Sequence, residues 1–137
     1  MNTVLSPLQK PLPAGSLLWQ QGLRFGLTGL ANTLLTFVLI LLAKPLLGIT
    51  AANVLGYLCG MALSFSLNRR WTFASRRTAW KTLAGFLAVS GLALLLNCSL
   101  IASAMALGST YLPAQILGSV SYTLFSFWAM RTYVFRN

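Results

Sequence analysis

The sequence predicts an all-α integral membrane protein, with four transmembrane helices built as two parallel two-helix repeats. Three observations lead there. The chain of 137 residues is 57% hydrophobic and only 7% charged, where an ordinary soluble domain carries about 25% charged residues. Its basic residues leave three long uncharged stretches, 25–43, 45–68 and 82–130. Shifted by 62 residues, the chain matches itself.

A helix needs about 20 apolar residues to cross roughly 30 Å of hydrocarbon. The first two stretches each hold one span, and the third is long enough for two. Lys44, Pro45, Gly48 and Thr50 make the first break, and Gly108 to Pro113 make the other, with Pro113 suited to a first helical turn. The expected helices are therefore 23–43, 51–68, 83–107 and 113–130. Residues 1–21, with Pro7, Pro11 and Pro13, read as an N-terminal cytoplasmic tail rather than a cleaved signal, because they lack a continuous apolar core. Leu17, Leu18 and Trp19 are expected at the membrane interface ahead of the first helix. The membrane domain then covers 22–137, with repeats at about 22–75 and 84–137.

Lys10, Arg24, Arg69, Arg70, Arg76, Arg77, Lys81, Arg131 and Arg136 fall on one side of these spans, and Lys44 alone on the other. The positive-inside rule places both termini and the middle loop in the cytoplasm of a multi-pass inner-membrane protein. The basic residues form short juxtamembrane clusters, a pattern for anionic lipid rather than nucleic acid.

The repeat rests on matches that are costly by chance. Ala52, Leu55, Gly56, Ser64, Phe65, Arg69 and Phe73 fall on Ala114, Leu117, Gly118, Ser126, Phe127, Arg131 and Phe135. Thr28 to Ala31 falls on Ser90 to Ala93 at the same offset. Each repeat holds two helices, so both copies enter the membrane from the same side. Ala52, Gly56, Gly60 and Ser64, the pair Gly22 and Gly26, and the pair Ala114 and Gly118 are expected to let helix backbones approach closely.

The chain has no Asp, Glu or His. General acid–base chemistry by carboxylate or imidazole, and a Ser-His-Asp or Cys-His nucleophile, are therefore excluded within it. Two cysteines, Cys59 and Cys98, do not make a four-ligand zinc site. We expect no enzyme activity, no metal and no cofactor. A carboxylate relay for proton coupling is also excluded, which disfavours a small cation-drug exporter.

Two helix ends carry the same design: Ser64-Phe65 leading to Asn68-Arg69-Arg70-Trp71-Thr72-Phe73, and Ser126-Phe127 leading to Met130-Arg131-Thr132-Tyr133-Val134-Phe135. Rings at headgroup level with an arginine that reaches phosphate suit a membrane boundary. With Arg24-Phe25-Gly26, Thr28-Gly29, Asn32-Thr33 and Gly56, these motifs resemble the GtrA-like family of small four-helix membrane proteins, over about residues 22–136. The resemblance implies a translocase that flips an undecaprenyl-phosphate-linked sugar outward for cell-surface polysaccharide glycosylation. The family pattern favours Asn where Met130 stands.

A lipid-linked sugar presents an apolar tail, a phosphate diester and a polar sugar. Arg24, Arg69, Arg70 and Arg131 are the expected phosphate-binding residues, because a guanidinium fork donates two bonds and stays charged. Asn32, Tyr57, Asn68, Asn97 and Gln115 are the expected sugar-binding or pathway residues. Arg69, with Asn68 and Arg70 beside it, is expected to matter more than Arg131. The expected partners are the sugar lipid and membrane lipids, with a glycosyltransferase or a second copy of the chain compatible with the same reading. The alternative function is a non-catalytic subunit that anchors or positions a glycosyltransferase.

Overall fold

The computed structural model describes residues 14–136. They form α1 (Ala14–Leu67), a π-helical turn π1 (Asn68–Thr72), α2 (Ala79–Ala106), α3 (Tyr111–Ala129) and a second π-helical turn π2 (Met130–Val134). Two stretches, Leu17–Thr72 and Ala79–Ala106, are long and apolar enough to cross a membrane.

Among the described residues the α-helices number three, not four. Pro45 stays inside α1, and only Gly48 leaves helical geometry, at φ 77 and ψ 167. A positive φ is accessible to glycine without a Cβ clash, so one residue makes the break expected over Lys44 to Thr50. The arms on either side fold back on each other. Thr36 Oγ1 donates to the Gly56 carbonyl at 3.3 Å. A Cβ on Gly56 would stand 2.8 Å from Ile40 Cγ1, and one on Gly60 would collide with Thr36 Oγ1 and Asn32 Oδ1. The pairs 36/56 and 32/60 share a midpoint at residue 46, so the arms run antiparallel. Gly108, at φ 91, turns α2 into α3, where a Cβ on Gly118 would stand 2.7 Å from Ile101 Cγ1 and 3.0 Å from Asn97 Nδ2.

Two expectations need correction. α1 begins at Ala14 rather than at 23, because no proline or β-branched residue interrupts 14–27. Leu17, Leu18 and Trp19 are thus part of the helix, exposed on its surface. Gly22 and Gly26 are not a packing pair either. A Cβ at Gly22, Gly26 or Gly29 would meet nothing within 4 Å. Small residues mark close approach only where a neighbouring helix is present, as at Gly56, Gly60 and Gly118.

Leucines such as Leu34, Leu95 and Leu124 face outward, and Thr28, Asn68, Thr72, Thr82 and Ser126 are buried. That inversion suits hydrocarbon as solvent. The core is a cluster of phenylalanines: Phe73, Phe86 and Phe135 buried, with Phe25, Phe65 and Phe127 packed against them. Phe73 and Phe135 stack at 5.2 Å and 13°. The other phenylalanine pairs come in matched sets: Phe25–Phe73 with Phe86–Phe135, Phe25–Phe127 with Phe65–Phe86, and Phe65–Phe135 with Phe73–Phe127. Exchanging Phe25, Phe65 and Phe73 for Phe86, Phe127 and Phe135 maps the whole contact set onto itself. Phe25 and Phe86 are 61 positions apart, so the first helices match one residue out of the 62 register.

The π turns make this cluster. Phe73 N–H donates to the Asn68 carbonyl at 2.9 Å, and Phe135 N–H to the Met130 carbonyl at 2.8 Å. Eight α-helical residues, the spacing from Phe65 to Phe73, overshoot two full turns by about 80°. The extra residue of a π turn takes back about 100°. Phe73 therefore returns to the face of Phe65, and Phe135 to that of Phe127.

Candidate functional site

The arginines expected at the phosphate gather at one end of the bundle. Arg24 Nη1 donates to the Trp71 carbonyl at 3.0 Å, and its guanidinium lies 5.5 Å from the Trp71 ring centroid. Arg69 Nη2 donates to the Arg77 carbonyl at 2.9 Å. Its Nε is buried without a partner. Arg70 is exposed. Arg131 is half-buried and donates from Nε to Gln21 Oε1 at 2.8 Å. With Gln21, Thr132 and Arg136 it lines a cavity of about 330 Å³. Arg77, which sequence reasoning treated as a topology signal, ties the end together by donating to the Tyr133 carbonyl at 2.9 Å. The chain has no acidic side chain, so among the described residues no side-chain carboxylate neutralises the positive field of these guanidinium groups.

Next to this end lies a cleft whose largely apolar walls carry several polar side chains. One chamber, of about 350 Å³, is lined by Gly26, Gly29, Asn68, Ser126 and Met130 among others. A second, of about 680 Å³, is lined by Thr36, Tyr57 and Leu94 among others. They share Asn32, Thr33, Ser64, Phe86, Ser90 and Tyr122. Asn68 Nδ2 donates to Ser64 Oγ at 3.2 Å, yet Asn68 Oδ1, Asn32 Oδ1 and Ser126 Oγ are buried without any partner. Leaving a buried acceptor unpaired costs about 1–3 kcal/mol. Several orphans around one cleft therefore mark a place for a hydrogen-bonding guest.

Of the residues expected on the sugar pathway, Asn32, Tyr57 and Asn68 come to this cleft. Asn97 instead packs against Gly118. Gln115 is half-buried near the start of α3, about 24 Å of helix away from Arg131. Sequence reasoning missed Gln21, Ser90, Thr123 and the open glycines. Polar side chains in spans carried a signal, but nothing in the sequence showed which of them would lack partners.

Helices of membrane-spanning length and an apolar exterior, with polar side chains buried beside the phenylalanine core, define a helical integral membrane protein. The family model "GtrA/DPMS, transmembrane domain" matches residues 24–135, and the chain belongs to that family. It is thereby a membrane protein of the lipid-linked sugar and glycosylation setting. Neither the curated proteins nor the solved structures include a match to the chain.

Proposed function

We propose that the protein flips a polyprenyl-phosphate-linked sugar across the cytoplasmic membrane, for glycosylation of cell-surface polysaccharide. The observation that carries this reading is the cleft with orphaned buried polar atoms beside an unneutralised arginine cluster. Sugar hydroxyls complement Asn32 Oδ1, Asn68 Oδ1 and Ser126 Oγ. The phosphodiester complements the guanidinium groups, and the apolar tail stays in the bilayer. The cost of moving the headgroup through hydrocarbon, several kcal/mol, falls when protein groups replace its water.

In this reading the arms of α1 on either side of Gly48, and then α2 and α3, cross the membrane four times. Both termini and the loop at 73–78 face the cytoplasm. The halves are parallel repeats about an axis along the membrane normal, passing through the Phe73–Phe135 stack. The self-exchanging ring contacts and the paired π turns support that symmetry.

The test is flipping of fluorescent polyprenyl-phosphate sugars by purified protein in liposomes with no transferase present. Transport is expected to be downhill and to persist with an ionophore, because no acidic or imidazole side chain exists to carry a proton. Absence of flipping until a transferase is added would favour the subunit that positions a glycosyltransferase. For topology, Arg76→Cys in a Cys59→Ser, Cys98→Ser background should label only from inside, and Ser109→Cys only from outside. Labelling of position 76 from outside would end the arrangement with this loop in the cytoplasm.

A further inference from the structure

We propose that the row Gly22, Gly26 and Gly29 on α1 is a lateral port, through which the sugar headgroup enters the cleft while its prenyl chain lies in an adjoining groove. This rests on the flipping reading above and locates the entry path for it.

The three glycines lie in one helix, where glycine is less stable than alanine. No close helix contact compensates, since a Cβ at any of the three would meet nothing within 4 Å. The row borders two different cavities. On one side is the polar chamber, bounded by Gly26 and Gly29. On the other is an apolar groove of about 740 Å³, bounded by Gly22, Leu23, Leu27, Leu30 and Leu124. Phe25, Gly26 and Thr123 belong to both, so Gly26 and Thr123 frame the opening between them. Into the polar chamber face Asn68, 2% exposed, and Ser126, 1% exposed, with Asn68 Oδ1 and Ser126 Oγ unpartnered.

An apolar groove that opens sideways into a polar chamber fits one class of lipid. A bilayer phospholipid keeps its headgroup at the surface and leaves the chamber's orphan atoms unpaired. A prenyl chain carrying a hydroxyl-rich headgroup fills both sides at once. The glycines keep the sill between them flat, since any side chain there would project into the opening.

The test uses the full chain in proteoliposomes with two probes, a photoactivatable polyprenyl-phosphate-linked glucose and a phosphatidylglycerol carrying the same photogroup. The prenyl probe should label wild type in peptides holding residues 18–30 or 123–127. Gly26→Leu should unfold at or above the wild-type temperature, lose that labelling at least tenfold and stop flipping. Gly29→Leu asks the same question from the cleft side if Gly26→Leu does not fold. Ala102→Leu adds comparable bulk at an exposed position of α2 and should change neither labelling nor flipping. Unlabelled wild type, unchanged labelling in both glycine variants, or equal labelling by the phosphatidylglycerol probe would overturn the port. If labelling behaves as expected but wild type flips nothing, the port stands as a lipid-binding site and the flipping reading falls. If wild type flips and both glycine variants label normally, the flipping reading stands and the port falls.

Discussion

Arg69 and Arg131 occupy the same position in two π turns built on the same backbone pattern, and their surroundings differ. Over Arg69 the chain turns back: Ser75 N–H donates to the Arg69 carbonyl at 2.8 Å, and the Arg69 side chain donates to the Arg77 carbonyl at 2.9 Å. The Arg131 side chain donates through Nε to Gln21 Oε1 and borders a cavity. The difference extends to Arg24. Its place in the second half is held by Gly85, where a Cβ would stand 3.3 Å from Val134 Cγ2. The guanidinium that reaches the Tyr133 carbonyl there comes from Arg77 instead, as Arg24 reaches the Trp71 carbonyl. Equivalent residues thus make different contacts: one arginine ties a loop, and the other reaches Gln21 at the edge of a cavity.

The sharpest way to break the comparison is at its centre. Phe73→Ala and Phe135→Ala each remove a buried ring from the shared stack, at about 3–5 kcal/mol each. Equal losses in thermal unfolding, with a double variant well short of the sum, are expected if the halves share one core. Next is the pair of arginines. Arg131→Ala should reduce flipping about tenfold or more at unchanged melting temperature, since a hydrogen bond to a charged group contributes roughly 1.5–3 kcal/mol. Arg69→Ala should instead lower the melting temperature through the freed loop. A larger transport defect for Arg69→Ala at equal stability would restore the ranking expected from sequence. Gly60→Ala pushes a methyl onto Thr36 and Asn32 and should destabilise by about 1–3 kcal/mol. Gly22→Ala should be neutral or stabilising, measured in the same unfolding assay. The smallest expected effect is that of pH. Flipping should stay flat between about pH 5 and 7, where a histidine would titrate, because the chain contains none and no acidic side chain.

The membrane class, the basic end and the matched helix ends were legible because they follow from composition and from spacing along one chain. Asn68 and Asn32 were legible too, as amides are rare guests of a span. Which serines mattered was not. Ser66 bonds back to the Ala62 carbonyl at 2.8 Å, as serines in helices do, whereas Ser126 Oγ has no partner. In sequence Ser126 stands out only by its place in the repeated Ser-Phe motif, and it is the neighbouring helices that leave its hydroxyl unpaired. The glycines divide in the same way: Gly60 is covered by the opposite arm of α1, and Gly26 is left bare.

By itself the sequence determined the solvent this protein folds in, the end that carries its charge and the family it belongs to. Those depend on residue types and on their order, which no fold alters. The tertiary structure decided that one glycine breaks α1, that π turns swing Phe73 and Phe135 into a common core, and that Arg69 ties back to the loop at Arg77 while Arg131 reaches Gln21 beside a cavity. Each of those depends on what lies across from a residue. In hydrocarbon, where backbone groups are satisfied within each helix, side-chain and small-residue contacts between helices are what place one element against the next.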